Sequence, residues 1–169
     1  HRILSILAVL EYQVGEFSQG EAHLERLLDL TSPWPTGIHG YYKAIFIPQI
    51  SHISGELDRL DVAEVAAQAV LSEPSSTPYI RTGAKIGLAL IAVHRGDVAA
   101  AEEQYALLGS VQNWVLQTGL ASGRLLGMLA QTMGNPDRAI GHFEDAVAFC
   151  RKAGYRPELA WSCCDYAEA

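Results

Sequence analysis

The stretch MGNPDRAIGHFEDA (133–146) decides the fold, because the chain writes its pattern twice. HRGDVAAAEEQYAL (94–107) keeps the same order: a glycine, an Asp or Asn, an alanine, then an aromatic four residues on. Gly96 and Gly134 lie 38 residues apart, and aligning them pairs Asp97 with Asn135, Ala101 with Ala139 and Tyr105 with Phe143. Upstream, Leu88-Ala89 pairs with Leu126-Gly127. VGEFSQGEAHLERLL (14–28) is an earlier copy, with Gly15-Glu16-Phe17 in the place of Gly96-Asp97-Val98. Residues 37–73 hold a further copy whose glycine, Gly55, stands two residues early. Residues 157–169 begin one more, with Trp161 in the slot of Leu4.

Each copy reads as two helices. Apolar residues recur at spacings of three and four, as in Ile140, Phe143, Val147 and Cys150. Glycine followed by Asp or Asn supplies a helix stop and then an N-cap. Pro136 falls where a first-turn proline is tolerated. Small residues (Ala89 or Gly127, then Ala101 or Ala139) let paired helices approach closely, and the glycines of GLASGRLLG (119–127) and GAKIG (83–87) take the same reading. One hairpin cannot bury both of its apolar faces, so the copies must stack. Pro48, in YYKAIFIPQISHIS (41–54), implies either a kinked helix with a reshaped groove or a helix that ends and restarts.

These residues resemble the tetratricopeptide repeat, through Leu126-Gly127 with Ala139-x3-Phe143, Leu88-Ala89 with Ala101-x3-Tyr105, and Trp161. The first copy departs, with Gly20 and Leu24 in place of the alanine and aromatic, and the period is longer than usual. The long repeat, and HFEDAVAFCRKAGYRPELAWSCCDYAEA (142–169) above all, is similar to the MalT-like helical regions of bacterial LuxR-type regulators, cyclases and related signalling NTPases. The resemblance implies an all-α, right-handed superhelical solenoid of helix-turn-helix repeats. The expected repeats are 1–33, 37–74, 79–112 and 114–154, with a final helix 157–169, in one domain excised from a larger protein.

Composition narrows the function. The chain has 169 residues, 49% of them hydrophobic and 18% charged, enough for a sizeable core. No run approaches the roughly 20 apolar residues of a membrane span, and a cytoplasmic setting is expected. The net charge of −7 disfavours direct nucleic-acid binding. Cys150, Cys163 and Cys164 have neither disulfide-framework nor zinc spacing, and core packing is expected for all three. No nucleophile, phosphate-loop or metalloprotease motif occurs, and the six histidines are scattered, so neither enzyme nor cofactor is expected. HFED (142–145) reads as a solvated outer face.

Charge divides between helix types. First helices (2–14, 37–54, 79–95, 114–133) carry Arg2, Lys43, Arg81, Lys85, Arg95 and Arg124 against Glu11 alone, whereas second helices are acidic. The resemblance puts first helices on a concave face, implying a mildly positive groove. Gln117, Arg124 and Gln131, spaced by seven, form a polar stripe on an apolar helix. Arg124 is expected to face the groove, open to solvent, and to meet an anionic group of a partner. The other groove candidates are Tyr12, Tyr42, Gln49, His52, His94, Met128 and Tyr166. The expected ligand is a protein or peptide segment, or another domain of the same chain. The alternative is a small anionic or sugar-like effector held near Arg124 and His94, gating a neighbouring NTPase switch.

Overall fold

The computed structural model describes residues 2–31, 37–109, 116 and 118–169. All regular elements of the described residues are helices: α1 (Arg2–Val14), α2 (Phe17–Thr31), α3 (Gly37–Ser54), α4 (Leu60–Ser72), α5 (Pro78–Arg95), α6 (Val98–Leu108), α7 (Ser122–Thr132), α8 (Pro136–Ala153) and α9 (Arg156–Ala167). The chain divides into two compact units, His1–Ile91 and Ala92–Ala169. In the first, α1 packs on α2, α3 on α4, and α1 and α2 both on α3. In the second, α7 packs on α6, α8 and α9, and α8 also on α9.

The repeated phrase is a helix stop joined to a helix start. Gly15, Gly96, Gly134 and Gly154 all have positive φ, which costs a glycine little. The residue after each bonds back five positions: Glu16 to Glu11, Asp97 to Ala92, Asn135 to Ala130 and Tyr155 to Cys150. That pattern is the Schellman cap. Asp97 then caps α6 by accepting the Ala100 N–H at 3.1 Å, and Pro136 occupies the first turn of α8.

Gly55 marks the real departure. It also has positive φ, but its N–H bonds to the Ser51 carbonyl and α4 starts only at Leu60. The turn is longer than the others, so this glycine stands early in the alignment. Alignment on the starts of the second helices gives 38 residues from Leu60 to Val98 and from Val98 to Pro136, and places Gly20, Ala63, Ala101 and Ala139 in one slot. All four are buried.

Close approach explains that slot and the first-helix glycines. A Cβ on Gly20 would lie 2.5 Å from the Tyr12 ring, and one on Gly127 would lie 2.8 Å from Phe143. A Cβ on Gly87 would lie 1.8 Å from the Ala44 carbonyl oxygen. Pro48 neither ends nor restarts its helix, since α3 runs through it to Ser54. α7 begins at Ser122, later than the expected 114, because Leu116 and 118–120 form a turn closed by Gly119 N–H to Leu116 O and Leu116 N–H to Leu120 O. Near the end of the chain, Cys150 is buried but Cys163 and Cys164 are exposed. The expectation that both of the latter fill the core is corrected: the inward face of α9 belongs to Glu158, Ser162 and Asp165.

Candidate interaction surface

Among the described helices α3, α5 and α7 are the most buried, and burial sorts the candidate residues. Tyr12, Tyr42, Gln49, Arg124 and Met128 are buried. They stand in the packed core and not on an open groove, which corrects their assignment as accessible contacts. Tyr12 fits because Gly20 leaves room for its ring. Its hydroxyl donates to Glu21 Oε2 at 2.7 Å, and burial and then that carboxylate hold its pKa well above the usual tyrosine value. Tyr42 belongs to an aromatic chain, 5.3 Å from Tyr41 and 6.1 Å from Phe46 between ring centroids. Gln117 lies outside the described residues.

Arg124 is the sharpest correction. Its Nη1 donates to Glu158 Oε2 at 3.0 Å, and its Nε donates to Asp165 Oδ2 at 2.5 Å. The guanidinium also lies 5.5 Å from the Trp161 ring centroid. Glu158 Oε1 accepts the Ala121 N–H at 2.8 Å, which ties α9 to the start of α7. Arg124 does meet carboxylates, but they belong to its own chain, and a buried charge is tolerated only when it is paired in this way. Two turns on, Gln131 donates to the Glu168 carbonyl at 3.0 Å. The described part of the polar stripe on α7 is therefore the docking track for α9. Glu158 and Asp165 share its seven-residue spacing, a signal that sequence reading missed. Burial is the main force on Glu158, raising its pKa above the usual carboxylate range against the pull of Arg124.

The other first-helix bases are partly spent as well. Lys43 Nζ donates to the Thr31 carbonyl at 3.0 Å, and Arg81 Nη1 donates to the Leu71 carbonyl at 2.7 Å. Each cation thus satisfies an open carbonyl in the last turn of the preceding second helix, where the helix dipole also favours positive charge. Burial lowers the Lys43 pKa. A positive groove built from all six bases is corrected accordingly, because Lys43, Arg81 and Arg124 each serve an internal partner. HFED is also corrected in part. Tyr105 Oη and His142 Nε2 are 2.7 Å apart, Phe143 is buried, and only Glu144 and Asp145 are solvated.

The accessible candidates occupy equivalent positions within their own helices. His52, His94 and Gln131 lie in the last turns of α3, α5 and α7, and Tyr166 in that of α9. His52, His94 and Tyr166 are half-buried and Gln131 is exposed. α1 ends in the same way on Gln13, half-buried, whose amide atoms have no hydrogen-bond partner among the described residues. Tyr166 stacks on Phe143 at 5.9 Å and donates to Glu144 Oε1 at 3.2 Å. Beside it, a groove of 480 Å³ between α8 and α9 is lined by Val147, Arg151 and Cys163.

Among the described residues, no group of three His, Cys, Asp or Glu is placed to hold a metal ion, and no helix is long and apolar enough to cross a membrane. The chain matches no family model, no curated protein and no solved structure.

Proposed function

We propose that this chain is a non-catalytic interaction scaffold: a right-handed, tetratricopeptide-like solenoid of helical hairpins within a larger cytoplasmic signalling protein. Its ligand is a protein or peptide segment, or another domain of the same polypeptide. The observation that carries this reading is the recurring polar or aromatic group at the end of each first helix: Gln13, His52, His94, Gln131 and Tyr166. Successive repeats that each offer one such group suit an extended ligand, which collects one contact per repeat. The small-effector alternative loses its anchor, because the Arg124 guanidinium is buried against Glu158 and Asp165.

A photo-crosslinking residue tests the reading directly. Placed at His94 or Gln131 in the parent protein, it should capture another domain or a partner. Placed at Glu103 or Asp145, exposed on second helices, it should not. Equal capture from both sets, or capture from the second set alone, rejects the first-helix ends as the contact surface.

A further inference from the structure

We propose that the outer face of α1 is a docking surface for a helical hairpin of this chain's own repeat type, seated on α1 as α1 and α2 are seated on α3. α1 leaves Ile3, Ile6, Leu10 and Val14 exposed, and Phe17 follows at the start of α2. Spacings of three, four and four put the first four on one face of the helix. Ile3 is 74% exposed and Val14 66%. A contiguous apolar stripe of this kind marks a contact surface, whereas scattered apolar residues do not.

The other first helices show what belongs there. Aligned on the turn glycines, Ile6 and Leu10 correspond to Phe46 and Ile50 in α3, to Gly87 and Ile91 in α5, and to Leu125 and Leu129 in α7. All six are buried, Leu125 and Leu129 to 1% and 0% exposure. In each case the chain itself supplies a preceding hairpin or helix. α1 and α2 pack on α3, and α6 packs on α7. The Gly87 position of α5 presses on the α3 backbone at Ala44. The stripe on α1 therefore occupies helix positions that are buried in α3, α5 and α7, each of which has an earlier helix of the chain against it. The chemistry of the occupant follows from the same precedent. The buried residues of α1 are Ser5, Ala8, Val9 and Tyr12, mostly small, and the large residues of the α1 stripe need a similarly shallow face opposite them. The occupant is thus an amphipathic hairpin with small residues on its contact face. This surface is separate from the first-helix ends, so either assignment can fail alone.

The test extends the protein by one repeat. A duplicate of residues 2–41 is joined directly ahead of Arg2, in the 40-residue spacing that separates Gly15 from Gly55. The thermal midpoint should rise by about 5 °C or more, and binding of an apolar dye should fall. Ile6→Glu with Leu10→Glu, placed in the original α1 of the extended chain, should abolish both changes. An unchanged midpoint, or a gain that survives the two glutamates, overturns the proposal. The unextended chain gives a second reading that does not depend on the fusion folding. There, the same pair should lower dye binding and leave the midpoint nearly unchanged, and a collapsed midpoint would mean that the stripe is already covered. If the unextended chain is a dimer that the pair splits, the occupant is a second copy and the hairpin assignment is wrong.

Discussion

An arginine–carboxylate network in the first unit and another in the second are built from similar residue types with opposite consequences. In the first unit, Arg59 forms a two-pronged pair with Glu21, which also accepts from Tyr12. The Arg59 and Glu21 side chains stay 30% and 31% exposed. In the second unit, Arg124 faces Glu158 and Asp165, with Arg124 2% and Glu158 0% exposed. Water screens the first network, whereas the second has little besides its own partners. The first ties a surface turn to a neighbouring hairpin. The second fixes the register of α9 on α7, because no other pairing satisfies charges taken out of water.

Removing Arg124 should have the largest effect on that contrast. Arg124→Ala leaves two buried carboxylates facing each other and should cost about 3–5 kcal/mol, read by chemical denaturation. Replacing all three partners with apolar residues (Arg124→Met, Glu158→Leu, Asp165→Leu) should recover most of the loss. A loss below about 1 kcal/mol, the range of exposed pairs, would erase the difference between the networks.

The same rule extends to uncharged positions. Ala139 is fully buried on α8, and Gly141, two residues on, is exposed, with nothing within 4 Å of an added Cβ. Ala139→Leu should destabilise by about 1–3 kcal/mol through overpacking. Gly141→Ala should stabilise by up to about 1 kcal/mol through helix propensity. Similar losses from both would mean that burial is not the governing variable.

Acid titration should separate the networks by sign. Burial raises the Glu158 pKa above the usual carboxylate range. Its folded form holds a proton longer than the unfolded chain does, so its contribution is complete at low pH and is lost as pH rises through the folded value. The Arg59 hydrogen bonds lower the Glu21 pKa. Its contribution is present above the usual range and is lost as pH falls through the folded value. Glu158→Gln should therefore flatten the stability curve above the ordinary glutamate range, and Glu21→Gln should flatten it below. Flattening on the same side by both would contradict the assignment.

What the sequence made legible is local. Gly96, Gly134 and Ala139 reveal their roles because a turn glycine, its capping neighbour and a small residue one turn later act within a few positions of each other. The helices follow from them, and so does the slot shared by Gly20, Ala63, Ala101 and Ala139. Arg124 was legible only as an anomaly, a charge on an apolar helix. Its partners lie 34 and 41 residues away, and the matching spacing of Glu158 and Asp165 gains meaning only once α9 is placed beside α7. Lys43 and Arg81 misled for the same reason. Counted by helix they suggest a positive groove, but the carbonyls they satisfy belong to the helix before.

Arg59 should give the smallest effect, and its size sharpens the comparison most. Arg59 stands in the long turn after Gly55, the one repeat junction that departs from the others. Arg59→Ala removes both prongs to Glu21, but the released carboxylate keeps the Tyr12 hydroxyl and has access to water. The cost should be about 0.2–1 kcal/mol at low salt and should shrink as ionic strength rises, because exposed charges are screened. The cost of Arg124→Ala should change little with salt, since its pair is buried. Denaturation of both variants at low and high salt gives four numbers. A salt-independent Arg59 loss near that of Arg124 would show that the long turn is as tightly sealed as the α7–α9 contact, and that exposure is not what separates the two networks.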